Sequence, residues 1–196
     1  MDGIRVFVSS KQSEFESERE LLKHEIERFT FLIADLAADW PPQAASSREV
    51  FLAKVQQAPI YVGLFGCVYS ESTQLEYETA IQHPHREILI YVRSCARRRR
   101  DPQLQALIAD MKDRHAIKEY ETVPDLILQF QEHLLSALVR MAGLLMKLGD
   151  PTRSQVERGG DVFATIQLNE LGLPVEQDKA GRLAHFILRG LEAAKQ

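Results

Sequence analysis

Three short runs, Ile4–Val8, Ile60–Phe65 and Glu87–Val92, are mainly apolar on both faces and rich in β-branched and aromatic residues. That is the pattern of strands buried in a parallel sheet. A further run, Phe31–Ala38, is closed by Asp39-Trp40-Pro41-Pro42, where two consecutive prolines stop any regular element. Between these runs apolar residues recur at helical spacing. Ser13 with Glu16 makes a capping box ahead of a helix that turns Phe15, Leu22, Ile26 and Phe29 inward, with Glu14, Glu18, Glu25 and Arg28 on its wet face. Ser46 with Glu49 opens a short helix to about Gln57, and Thr73–Gln82 reads as a third helix before the turn His83-Pro84-His85. Pro102–Arg114 is a fourth, with Leu104, Leu107, Ile108 and Met111 inward, and Ala116–Tyr120 is a fifth, edge strand.

Strands separated by helices of this length form βαβ units that close right-handed onto a parallel sheet. The expected fold is therefore α/β, a flavodoxin-like three-layer domain with a parallel sheet of four to five strands. A long helix, Val123–Leu148, follows, roughly 38 Å in length at the helical rise per residue. It carries one stripe at Ile127, Phe130, Leu134, Leu138, Met141 and Leu145, and another at Leu128, Leu135, Val139, Ala142 and Met146. A band that wide needs two neighbours: the sheet, and either the C-terminal segment or a second copy of the chain. Residues 1–148 are thus expected to form the α/β domain. The segment 149–196, beginning with a linker over Gly149–Gly160 and ending in a helix with Leu183, Phe186, Ile187 and Leu191 inward, is a helical extension or the start of a further module.

Composition adds little but excludes some classes. A net charge of −4 across 196 residues gives no field that would favour nucleic acid or a membrane surface. The apolar helix is broken by Glu132, His133 and Arg140, which argues against a membrane span. Two cysteines, Cys67 and Cys95, make no disulfide framework and read as small buried fillers, which together with the lack of a signal-like N-terminus suggests a cytoplasmic, reducing setting. Neither a Gly-rich phosphate loop nor a metal-ligand spacing is present, so no cofactor or metal is expected. The Arg97–Arg100 run reads as a solvated loop, and Arg19 as an ion-pair partner.

Candidate chemistry gathers where open parallel sheets bind ligands, at the carboxyl ends of the strands. Ser9 and Ser10 follow the first strand and Trp40 the second. Gly66, Tyr69, Ser72 and Glu76 follow the central one. A glycine ending a buried strand leaves room for a ligand against the backbone. Glu76 has two assignments: a carboxylate facing this rim, or the acidic member of a Thr73–Glu76 capping box.

Ile4–Ser10 with Phe15, Glu18, Arg19 and Glu20 resembles the opening of domain-of-unknown-function family 4062. Tyr61–Gly66 with Tyr69, then Ser72, Thr73, Glu76, Tyr77 and Ala80, then Ile88–Val92, resemble its middle, so that the likeness covers about residues 4–95. The chain departs from the family at Lys11-Gln12, Ala58-Pro59 and Ser70. That family is similar in fold to nucleoside 2-deoxyribosyltransferases and to TIR domains. The resemblance implies that Glu76 acts on the anomeric carbon of a nucleotide, with NAD as substrate rather than cofactor, in signalling or defence. Ser9, Ser10, Trp40, Gly66, Tyr69 and Ser72 would then contact the substrate. The alternative it implies is a non-catalytic TIR-like assembly module; for either reading, the apolar stripes of the 123–148 helix or the C-terminal segment make a homo-oligomer the expected partner.

Overall fold

A computed structural model describes residues 3–36, 47–83, 86–95, 100–148 and 184–190. Five strands, β1 (Ile4–Ser10), β2 (Leu32–Leu36), β3 (Ile60–Phe65), β4 (Glu87–Arg93) and β5 (Lys118–Tyr120), form one sheet in the order β2-β1-β3-β4-β5. All four pairings are parallel. The helices are α1 (Glu16–Glu27), α2 (Ser47–Gln57), α3 (Glu71–Ala80), α4 (Pro102–Arg114) and α5 (Val123–Leu148). This is the flavodoxin-like arrangement, and its strand order reverses between β1 and β3.

Alternation along the strands sorts the core into two layers. Ile4, Val6 and Val8 of β1 and Ile60, Val62 and Leu64 of β3 face α1 and α5, where Leu22, Ile26, Phe130, Leu134 and Leu138 meet them. Phe7, Tyr61 and Phe65 face the other way, onto Val55 of α2, Tyr77 and Ala80 of α3, and Leu104, Ile108 and Met111 of α4. Ala184 and Ile187, in a helical stretch over 184–190, pack with the α1–α5 layer, and the Phe186 ring meets Phe31 edge-on at 5.8 Å.

Local differences from the sequence expectations have physical causes. Ser13 does not cap α1. It lies in a 3-10 turn, Gln12–Glu14, and the helix begins at Glu16 with no side-chain cap at Phe15. Glu14 and Glu18 do not belong to a wet face. Glu18 is 3% exposed, and Arg93 at the end of β4 bridges both carboxylates at 2.9 Å. Arg100 is not a solvated residue either: its guanidinium donates to the carbonyls of Gly66 and Arg93, each at 2.9 Å. The remainder of the arginine run, residues 97–99, falls outside the described residues, as do Trp40 and Ser46.

The cysteines are also corrected. Cys67 and Cys95 are joined in a disulfide that ties the loop after β3 to the loop after β4, their Cα atoms 6.0 Å apart. Their pairing removes the basis for inferring a reducing compartment from unpaired thiols. Among the described residues no helix is long and apolar enough to cross a membrane. The crosslink closes a loop with a sequence separation of 28. Loop-closure entropy of that size corresponds to about 3.6 kcal/mol of stability. Chemical denaturation with and without dithiothreitol is therefore expected to show a lower midpoint for the reduced protein; coincident curves would mean that the bridge adds no constraint.

Candidate active site

The site grows out of the strand reversal. Ser9, next to last in β1, lies in register with Gly63 of β3, and its side chain points to the face that carries α2 and α3. The loop after β3 delivers α3 to the same place. Ser70 caps that helix, its side chain accepting from the Thr73 amide at 3.4 Å. Thr73 is therefore not the cap, and Glu76 is not the reciprocal member of a capping box. It sits in the second turn, 7% exposed, and Ser9 Oγ donates to its Oε2 at 2.5 Å. Its other oxygen has no hydrogen-bond partner among the described residues.

Glu76 lines a cleft of about 330 Å³ between the first two turns of α2 and of α3. Arg48, Phe51 and Leu52 form the α2 wall; Glu71, Ser72 and Leu75 join Glu76 on the α3 wall. The volume lies in the range of small-molecule sites. Burial pushes the Glu76 carboxyl up to about 7, against the opposing effects of the Ser9 hydrogen bond and the nearby Arg19 guanidinium. A carboxylate costs free energy to bury without a matching cation, and perturbed groups of this kind concentrate where chemistry is done.

The other residues singled out in the sequence divide between the cleft and its supports. Ser72 is on the cleft rim, its hydroxyl 3.0 Å from that of Ser70. Ser10 Oγ accepts from Arg19 Nη1 at 3.3 Å, so its hydroxyl is engaged internally. The space beside Gly66 is taken by a side chain rather than offered to a ligand, because a Cβ there would collide with the Glu14 carboxylate. That carboxylate accepts from the Cys67 amide at 2.7 Å and the Val68 amide at 3.3 Å. Tyr69 packs against the α2–α4 layer and donates its hydroxyl to Gln74 at 2.8 Å; it does not line the cleft. Arg48, Phe51 and Leu52 went unnoticed in the sequence. Their signal was position alone, since the helix after β2 must start at the same end of the sheet as α3.

The fold and the site define a flavodoxin-like α/β domain with a buried carboxylate at its strand reversal. The chain belongs to the family described as "Domain of unknown function (DUF4062)", which matches residues 5–135. The match thus continues beyond residue 95 through β5 and into α5. Among solved structures the chain is similar to the CMP N-glycosidase BcmB of Clostridium botulinum, at 14% identity and a TM-score of 0.49, over 66% of this chain and 98% of that one. No curated protein matches the chain.

Proposed function

We propose that the protein cleaves the N-glycosidic bond of a nucleotide, with Glu76 as the group that acts on C1′. One observation carries this: Glu76 is buried, held through one oxygen by Ser9, and has its other oxygen unengaged at the wall of a cleft of nucleotide size. Breaking the C1′–N bond leaves positive charge on the sugar, which a carboxylate stabilises or captures by bonding to C1′. Water then adds to C1′, breaking the bond to the Glu76 oxygen where one has formed, and its proton passes to the Glu76 carboxylate. Phe51, Leu52 and Leu75 offer apolar surface to the base. NAD suits this site, because the bonding electrons pass to the positively charged pyridinium nitrogen and nicotinamide leaves neutral, without a proton donor.

The test is a panel of NAD, nucleoside monophosphates and nucleosides incubated with concentrated protein, with free base measured by chromatography. Release from NAD ahead of the others is expected. Release from none of them would overturn the proposal.

A second role has its own observation. Leu128, Val139 and Met146 on α5 are 67%, 55% and 45% exposed and fall on one helical stripe. Exposed apolar residues aligned in this way suit self-association, the assembly role of a TIR-like module. Light scattering across a concentration series is expected to show oligomers that Val139→Glu dissolves, and a monomer throughout would exclude this role.

A further inference from the structure

Beneath Glu76 lies a second buried hydroxyl, that of Tyr61. Its ring belongs to the same sheet face as Ser9, stacked on Phe7 with centroids 6.3 Å apart. It leans along β3 over Gly63: a Cβ at Gly63 would stand 3.1 Å from the Tyr61 ring. Gly63 is the register partner of Ser9, and the missing side chain leaves room on this face for both the Tyr61 ring and the Phe65 ring, which would stand closer still at 2.7 Å. Tyr61 is fully buried, and its hydroxyl has no hydrogen-bond partner among the described residues. A buried hydroxyl without a partner costs free energy and calls for an explanation.

The hydroxyl chemistry supplies one. Ser9 has one proton, which it gives to Glu76, and it retains acceptor lone pairs. We propose that Tyr61 is a positioning residue, donating to Ser9 Oγ when Glu76 is ionised and thereby fixing the serine proton on Oε2 while the other oxygen stays free for substrate. The contact is made in the ionised state and relaxed in the protonated one, because only the carboxylate demands Ser9 as a donor. A chain of hydroxyls polarised in one direction strengthens each bond in it. Burial and the neighbouring Glu76 raise the Tyr61 hydroxyl well above its usual range, against the smaller lowering effect of the Ser9 hydroxyl beside it, so it remains a proton donor throughout.

Other charged groups face the same carboxyl. Arg19 comes from α1, while Arg48 of α2 and Glu71 of α3 share the cleft. Arg86, ahead of β4, acts electrostatically on Tyr61 and donates to the Gln56 carbonyl at 2.9 Å. Asp35 of β2 is bridged by Arg5 at 2.9 Å and Lys54 at 3.6 Å. None of these acts through Ser9, and that separates them from Tyr61.

The identity of the reaction rests on the function proposed above, but the contact does not, so the test reads the carboxyl itself. Carbon-13 NMR of selectively labelled glutamate, titrated from pH 4 to 9, follows Glu76 without substrate. Tyr61→Phe is expected to raise its midpoint by about one unit, a tenfold change in the proton equilibrium. Thermal stability below pH 6, where the contact is relaxed, should be retained, because phenylalanine fills the same space and removes a hydroxyl unpaired in that state. Ser9→Ala should raise the midpoint as well, and adding Tyr61→Phe to it should change nothing more. If the enzyme releases base, the acidic limb of its kcat profile moves with the midpoint while KM stays put. An unchanged midpoint in Tyr61→Phe, or a full additional shift in the Ser9→Ala background, would overturn the proposal. Loss of stability with no shift would show a packing role only. A shifted midpoint in a protein that releases no base would uphold the Tyr61 contact and sink the glycosidase.

Discussion

Glu76→Gln is expected to abolish base release and, at the same time, to stabilise the protein at neutral and alkaline pH. On the activity side, glutamine keeps the shape and can still accept from Ser9, but it neither bonds to C1′ nor offsets a full positive charge. Removing a group that acts in the transition state typically costs on the order of a thousandfold, equivalent to about 4 kcal/mol. The stability side follows from proton linkage. The folded carboxyl sits at about 7 against an ordinary 4.5. Between those values the native state holds a proton that the unfolded chain has lost, so stability from this group is complete below pH 4.5 and declines as pH rises to 7. The decline amounts to about 3 kcal/mol. Glutamine never ionises, so the advantage of the variant should grow from near zero at pH 4.5 to a plateau above pH 7. Other titrating groups, His115 and His133 among them, are common to both proteins and cancel in the difference. Urea midpoints at a series of pH values measure it; parallel curves for the two proteins would place Glu76 in solvent.

The second large effect concerns the clamp that holds the loop into α3. Arg93 bridges Glu14 and Glu18 at 2.9 Å each, donates to the Glu14 carbonyl at 3.2 Å, and lies 4.6 Å over the Phe15 ring. Arg93→Met keeps much of the packing but leaves two carboxylates without their cation. Breaking a buried pair in this way costs about 4 kcal/mol. Because Glu14 also holds the Cys67 and Val68 amides, base release should fall too, though less than in Glu76→Gln. Neutralising both acids, as Glu14→Gln with Glu18→Gln, should recover most of the lost stability in the Arg93→Met background. A folding midpoint unchanged by Arg93→Met would show that the clamp contributes nothing.

The fold was legible because strands buried on both faces announce themselves. Ile60–Phe65 coincides with β3, and the 102–114 and 123–148 patterns coincide with α4 and α5. The site was legible only in outline. Ser70 and Thr73 both suit a helix cap, and periodicity alone does not say which begins α3. Once Ser70 takes the position, Glu76 moves into the helix and toward Ser9. Gly66 at the end of a buried strand suggests a close approach by a ligand, yet the group that approaches is Glu14, from a segment more than fifty residues earlier. The Cys67–Cys95 bond is of the same kind: the two loops meet only because β3 pairs with β4. What the linear pattern lacked in each case was a partner brought in by sheet pairing.

Free base is the direct readout of the N-glycosidic cleavage proposed for the Glu76 cleft. Wild type and Glu76→Gln at equal concentration, near pH 8 where the carboxyl is ionised, are incubated with NAD and the nicotinamide is quantified. Steady release is expected from the wild type, and release at least about a hundredfold slower from the variant. Equal release by both proteins, or none by the wild type, would contradict that proposal.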